Sequence, residues 1–177
     1  VDTFYIAWHM GARNDKSFYA ADLLSDILSN GKSSRLEEKL VKEKKLFTEA
    51  DAYLSGENEP GLFIATGKAN TGVDFEMAQK EMIEEVIATA SERISDYELE
   101  KVKNKVEADL LFNEIGFHEK AMQLAAYEIL GDAALINRQA DFYRDITADD
   151  ILQTAQQIFR EGNRNTLNYF SSKSQKA

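Results

Sequence analysis

A chain of 177 residues can bury a sizeable core, and its ordinary apolar share of 44% indicates one globular domain over residues 1–177. The formal net charge is −10 and the sequence has no basic patch, which argues against nucleic acid as a partner because phosphate binding needs clustered Lys and Arg. No cysteine is present, which excludes disulfides and thiol chemistry, and no apolar run is long enough to span a bilayer.

The N-terminal part of the chain predicts a strand followed by a helix. Over residues 2–10 the large apolar side chains fall on alternate positions, which is the period of a strand. A helix is predicted over 16–29 and stopped by Asn30-Gly31, since glycine tolerates the backbone conformation that ends helices. Because the first strand starts almost at Val1, with no initiator methionine or signal peptide, we expect the chain to be a fragment of a longer protein.

The stretch 31–48 predicts a second helix. Ser34, or its neighbour Ser33, can cap the N-terminus, and Glu37 follows Ser34 at the spacing of a capping box. Leu36 and Leu40 lie one turn apart and predict the buried side of this helix. We therefore expect a packed helix that leads directly into the next strand.

Two further strands are predicted after this helix. From Thr48 to Ser55 strict alternation predicts a half-buried strand with Thr48 and Ala50 on one face. The run 61–69 is apolar or small on both faces and predicts a central strand, and its short connection to 48–55 predicts an antiparallel hairpin.

The rest of the chain predicts helices before a final strand. The predicted elements are a helix over 74–90, one opened by a capping box at Ser95 and Glu98, helices over 117–130 and 135–144, one opened by Thr147 with Asp150, and a strand over 164–171. Strands and helices are segregated along the chain rather than alternating, which indicates an α+β fold.

Candidate catalytic residues are scarce. One of the two histidines, His9, lies on a predicted strand without a nearby partner ligand, so we expect a buried or hydrogen-bonded structural histidine. His118-Glu119 matches the first half of a His-Glu-x-x-His zinc motif, but Met122 stands where the second histidine should be. We interpret His118 as a surface or helix-terminal residue. The sequence predicts no catalytic residue, no metal ligand and no cofactor in this chain.

Four stretches together match one protein family in the correct order. They are Gly-Lys-Ser-Ser-Arg-Leu at 31–36 followed by the segment 40–46, Glu-Pro-Gly-Leu-Phe at 59–63, Ser-Asp-Tyr-Glu-Leu-Glu-Lys-Val-Lys at 95–103, and Ile-Thr-Ala-Asp-Asp-Ile at 146–151. They resemble the C-terminal, non-catalytic half-domain of the insulinase-like (M16, inverzincin) zinc metallopeptidases. The resemblance implies an antiparallel sheet with helices packed on one face. It also implies that zinc is held by a partner domain, through a His-x-x-Glu-His motif.

The resemblance also points to two positions near the second helix. In catalytically supportive copies of the domain, an arginine directly after the helix leucine and a tyrosine seven residues later assist the peptide carbonyl. Counted from Leu40, these positions are Val41 and Thr48, and neither side chain can replace its counterpart. Arg35 stands earlier in the match, where a helix-surface or interdomain contact is expected. Arg35, Val41 and Thr48 are therefore the residues predicted to face the chamber or a partner.

The function implied is that of a non-catalytic peptidase domain. The partners implied are a catalytic M16 domain, in the same polypeptide or in a second subunit, and an unfolded peptide held in a closed chamber. Two alternatives remain: a structural subunit of the processing-peptidase type without a proteolytic role, and a stand-alone peptide-binding module. A His-x-x-Glu-His motif in the full-length gene or its neighbour would separate the first two. The resemblance makes a periplasmic or otherwise extracytoplasmic location plausible.

Overall fold

The computed structural model describes residues 1–56, 58–113 and 116–171. Its elements, in chain order, are β1 (Thr3–His9), α1 (Lys16–Ser29), a π-helical segment (Glu37–Glu43), β2 (Phe47–Ser55), β3 (Leu62–Ala69), α2 (Phe75–Ala88), α3 (Asp96–Asn113), α4 (Phe117–Ile129), a 3-10 helix (Ala133–Arg138), α5 (Gln139–Arg144), α6 (Ala148–Ile158) and β4 (Arg164–Tyr169). Strands and helices are segregated as expected, so the α+β fold class is confirmed.

The four strands form one antiparallel sheet in the order β2-β3-β1-β4. The predicted hairpin of β2 and β3 is present, and β3 lies between β2 and β1, which explains why it is apolar or small on both faces. On the core face, Ile6 pairs with Ala65, and both side chains are fully buried. Helices pack on this face, as the family resemblance implied.

Large aromatic side chains join the helices to the sheet. The ring centroid of Trp8 on β1 lies 5.0 Å from the ring centroid of Phe159, just after α6, and the two rings meet edge to face. At the other end of the sheet, the ring of Phe4 lies 5.7 Å from that of Phe47. Gly67 on β3 makes room for this second pair, because a Cβ there would come within 2.7 Å of the Phe47 ring. Most of the buried apolar residues form one continuous cluster from β1 to α6.

The second predicted helix is present, but most of it is a π-helix. Lys44 N–H donates to the carbonyl of Lys39 at 3.0 Å, a five-residue spacing that defines this wider helix. Leu36 and Leu40 are both fully buried, as expected.

The capping box predicted at Ser34 and Glu37 does not form. Ser34 lies in a turn, where its own N–H donates to the carbonyl of Gly31 at 3.1 Å. Its side chain is buried, and its hydroxyl has no hydrogen-bond partner among the described residues. Ser33 does not cap either; its hydroxyl accepts from the Lys101 ammonium at 2.6 Å. Neither serine side chain therefore caps the helix: that of Ser34 is buried, and that of Ser33 bonds to Lys101.

The strand after this segment starts one residue earlier than predicted. Phe47 pairs with Ala69 while Glu49 pairs with Lys68, so Thr48 is the extra residue of a β-bulge. Phe47 is buried, and Thr48 is exposed rather than on the face of Ala50. The bulge shifts the alternation by one position, which lets Phe47 reach the core.

The helix starts in the second half follow the predicted capping signals. Ser95 and Glu98 bond reciprocally, with each backbone N–H donating to the other residue's side chain at 3.2 Å. Thr147 and Asp150 form the second box, at 2.8 and 3.1 Å. The predicted helix over 135–144 is a 3-10 helix followed by the short α5, with the first turn started by Asp132, whose side chain accepts from Ala134 N–H.

Candidate functional site

Neither histidine lies in a metal site. His9 ends β1 with an exposed side chain, so the expectation of a buried or hydrogen-bonded side chain is wrong; the strand alternation turns it away from the core, and its carbonyl accepts from Asn163 at 2.9 Å. His118 is exposed near the start of α4, with Met122 one turn later. Within the described residues, no three His, Cys, Asp or Glu side chains group closely enough to hold a metal ion. These residues do not fit a zinc ion.

Arg35 is held by a carboxylate within the same chain. Its guanidinium donates to both oxygens of Glu98, at 2.9 and 3.1 Å, so the turn before the π-helical segment is tied to the start of α3. This pairing with Arg35, together with the bonds from Ser95, lowers the pKa of Glu98 to about 2, although partial burial acts in the opposite direction. The arginine therefore positions two elements, and its predicted contact with a chamber or partner stays a prediction.

Val41 and Thr48 lie on either side of the π-helix end. Val41 is half-buried and packs against the core, and its side chain has no donor. The Thr48 hydroxyl is exposed and donates to the carbonyl of Lys68 on β3 at 3.2 Å. The hydroxyl therefore stabilises the bulge. What these two positions face in an assembled peptidase stays a prediction.

The sheet face opposite the helices forms an exposed surface. We call it the open face and define it by Tyr5, Tyr53, Ile64, Leu167 and Tyr169, which the strand register places on the same side. Their side chains range from half-buried Ile64 and the partly exposed Tyr5 and Tyr53 to the largely exposed Leu167 and Tyr169. Burial, with Tyr5 nearby, raises the pKa of Tyr53. Chemically, this surface offers aromatic rings and hydroxyl groups, which suit apolar and polar parts of a polypeptide.

The open face was not selected from the sequence, although a signal for it was present. The alternation in β1 places Tyr5 on the side opposite Phe4. That pattern identifies an outward side chain, but it does not reveal whether a helix covers it. Register between strands was also needed, because Leu167 lies opposite Tyr5 only once β4 has paired with β1.

A polar cavity of about 660 Å³ lies between α1, β2 and α5. Within it the Tyr143 hydroxyl donates to Asp22 at 2.6 Å, and the Asn30 amide donates to Asp26 at 2.6 Å. Burial raises the pKa of both carboxyl groups despite these hydrogen bonds, and burial followed by the charge of Asp22 raises that of Tyr143. Sequence reasoning missed this group because Tyr143 and Asp22 are far apart in the chain. The bond from Tyr143 to Asp22 joins α5 to α1, and the bond from Asn30 to Asp26 lies at the end of α1.

The chain is similar to proteins that are named as zinc proteases. It is 25% identical over 162 residues to zinc protease PqqE of Helicobacter pylori, covering 92% of this chain and 36% of that protein. It is 28% identical over 148 residues to an uncharacterized zinc protease of Rickettsia felis, covering 82% of this chain and 35% of the relative. The chain thus spans about a third of the length of these curated relatives.

Solved structures share the fold. The inactive peptidase domain of a Bordetella parapertussis protein superposes with a TM-score of 0.89 at 23% identity, covering 97% of this chain and 91% of that one. The periplasmic protease PqqL of Escherichia coli superposes with a TM-score of 0.77 at 13% identity, covering 97% of this chain and 19% of that one. At these identities the likeness concerns the fold alone.

A family model supplies the assignment. The model described as the peptidase M16 inactive domain matches residues 2–106, which is more than half of the chain and extends from β1 into α3. The match includes the π-helical segment, the hairpin and the capping box at Ser95 and Glu98. This chain therefore belongs to the peptidase M16 inactive domain family.

Proposed function

We propose that this chain is the non-catalytic domain of a zinc-dependent peptidase. It pairs with a zinc-bearing domain, in the same polypeptide or in a second subunit, and forms part of the wall of a chamber that encloses an unfolded peptide. Its family supports the non-catalytic role. The two relatives named as zinc proteases support the pairing, because roughly two thirds of each lies outside the length this chain spans.

The open face is the observation that carries the chamber role. Helices cover one side of β1, β2 and β3, while the other side of the sheet presents Tyr5, Tyr53 and Leu167 to solvent. Exposed aromatic and aliphatic side chains on a rigid sheet can bind the apolar side chains of an extended peptide. In this role the chain binds and orients the substrate, and the reacting carbonyl is left to the zinc-bearing domain, where zinc would activate water.

A substitution on the open face tests the proposal. In the complex of this chain with its zinc-bearing partner, Tyr53→Ser should raise KM for an unfolded peptide roughly three- to tenfold and leave kcat unchanged, since it removes binding shared by substrate and transition state. Tyr97→Ser is the matched control, because Tyr97 on α3 is 79% exposed and lies off the sheet. Equal KM values for the two variants would contradict the proposal.

A structural role without proteolysis is the second candidate. The observation that favours it is the pair Val41 and Thr48, which brings neither a guanidinium nor a phenol to the positions where catalytically supportive copies carry them. The two candidates differ in one simple respect. A complex that contains a His-x-x-Glu-His subunit and cleaves peptide supports the first, and a stable complex without that motif or cleavage supports the second.

A stand-alone peptide-binding module is the third candidate. It requires the isolated chain to bind unfolded peptide with no partner present, which fluorescence anisotropy of a labelled peptide would measure.

For the cellular location, we propose a periplasmic or otherwise extracytoplasmic site, supported by the name of the periplasmic protease PqqL. Fractionation of cells with antibody detection tests it. No helix in the described part of the chain is both long and apolar enough to cross a membrane.

A further inference from the structure

Helix α4 leaves most of its apolar residues exposed. Its only buried side chain is Tyr127. Phe117, Ala121, Ala125 and Ile129 recur every four residues on another side of the helix, and all four are exposed. We call these four residues, with the adjacent Met122, the α4 stripe. It is about 18 Å long at the rise of an α-helix.

The large apolar side chains of the stripe are mostly exposed to solvent. Phe117 is 94% exposed, Met122 62% and Ile129 72%. Leu111 and Phe112 near the end of α3 are 68% and 71% exposed as well. Single exposed apolar residues are normal on protein surfaces, but a contiguous set on one helix face indicates an interaction site.

Little within the described chain holds α4 in place. It packs mainly on the short 3-10 helix that follows it, and Gly116 at its N-terminus supplies no side-chain cap. A helix of 13 residues is marginally stable in water without packing along one face. A second surface against the stripe would provide that packing.

The net charge of the chain argues against a second copy of this chain as the occupant of the stripe. Lys120 and Glu128 lie along one flank of the stripe with opposite charges, but the whole chain carries a net charge of −10. In a twofold symmetric dimer the same patch meets itself, so two copies of this acidic chain would repel each other. A different partner with less negative charge and an apolar contact surface fits better.

We propose that the α4 stripe is the surface that docks on the zinc-bearing domain. This inference rests on the proposed function and adds the location of the contact. The five residues of the stripe are uncharged, as is usual for the centre of a stable interface, and the ionisable His118, Lys120 and Glu128 lie on its flanks. The relatives supply the other argument: about two thirds of their length lies outside the length spanned by this chain, which is enough for a second folded body.

The test uses this chain and its zinc-bearing partner, the His-x-x-Glu-His region of the same gene or of the adjacent one. Ile129→Glu places a charge in the stripe and should weaken binding of the partner at least about tenfold, since the charge would be buried without a counter-ion. Lys120→Glu is the matched control: it introduces the same side chain at another exposed position of α4, outside the stripe. The affinity of the Lys120→Glu variant for the partner should stay within about threefold of that of the unsubstituted chain. Calorimetry measures both affinities.

Met122→Glu provides a second substitution in the stripe, and circular dichroism and melting of each free variant confirm that it is folded. If the original chain binds the partner and all three variants bind equally well, the stripe proposal is overturned and the proposed function stands. If the original chain does not bind the partner, the proposed function fails and the stripe proposal with it. A dimer of the free chain that Ile129→Glu dissociates would identify a second copy as the occupant and overturn the proposal.

Discussion

At the scale of single residues, Arg35 and Glu98 show how a residue within a recognisable sequence match serves the fold. Their two hydrogen bonds connect segments that are 63 positions apart. The same carboxylate also accepts from Ser95 at the start of α3. One glutamate thus caps a helix and anchors the turn that precedes the π-helical segment.

The titration of Glu98 gives the first prediction. Its pKa of about 2 lies below the ordinary 4.5, so the folded state binds its proton more weakly than the unfolded state does. The stabilisation is complete above pH 4.5 and is lost as the pH falls toward 2. Arg35→Gln should raise the pKa of Glu98 and reduce the acid-dependent loss of unfolding free energy, as measured by carboxyl NMR and urea unfolding at several pH values.

The control for this titration is Arg93→Gln. Arg93 pairs with Asp96 and Asp149 at the surface and does not bond Glu98. That variant should leave the pKa of Glu98 unchanged. If Arg35→Gln also leaves it unchanged, the guanidinium is not its main cause.

The buried leucines of the π-helical region give a second prediction. Leu40 is fully buried, so Leu40→Ala should lower the free energy of unfolding by roughly 2–5 kcal/mol through lost transfer energy and the cavity left behind. Lys42→Ala, at an exposed position two residues later, should change it by less than about 0.5 kcal/mol. Chemical denaturation measures both. Equal, small effects would mean that the packed side of the segment has been misassigned.

At the scale of elements, the π-helix and the bulge act together. The π-helix over Glu37–Glu43 and the extra residue Thr48, which shifts the strand register by one position, lie within the same short stretch. Lys45, between them, has a φ of 53°, the one positive φ among non-glycine residues that the described chain shows. This local distortion keeps Leu40 and Phe47 in the core on either side of it.

The chemistry expected at this junction is a third prediction. Val41→Ala and Thr48→Ala, made in the complex with the zinc-bearing partner, should leave kcat within roughly threefold, because the valine side chain has no donor and the Thr48 hydroxyl already donates to the carbonyl of Lys68. Stability can fall, since Val41 packs on the core. Peptide cleavage and thermal melting of the same samples separate the two effects. A hundredfold loss of kcat with KM and folding unchanged would make the junction part of the active site.

At the scale of the whole molecule, the helices pack on one side of the sheet, and the described residues leave two apolar surfaces exposed. The open face lies on the sheet, and the α4 stripe lies on a helix. We propose that the open face binds a peptide and that the α4 stripe binds a neighbouring domain.

Metal content gives the fourth prediction. The purified chain should contain no stoichiometric zinc, since His118 has Met122 where a second histidine ligand would be needed. It should also show no peptide cleavage above a chelator-treated blank. Elemental analysis and a fluorogenic peptide assay measure the two properties. About one tightly held zinc per chain, lost in His118→Ala, would contradict this prediction.

The sequence by itself determined the elements whose signals are local. Alternation placed β1, and a run that is apolar or small on both faces placed β3. The bonds between side chain and backbone that start α3 and α6 join residues three positions apart, so their spacing can be read directly. The family match followed from the same short stretches. The absence of a second histidine one turn after His118 was equally visible.

Tertiary structure alone decided the features that depend on distant partners. Ser34 is buried and does not cap a helix. Thr48 is the extra residue of a β-bulge, which lets Phe47 pack beside Phe4. The exposure of Tyr53 and of the α4 stripe depends on which surfaces the other elements cover. A local pattern shows which side of a helix or strand is apolar, but the packing of the whole chain decides whether that side is buried, because the burial of apolar area has no preferred direction or partner.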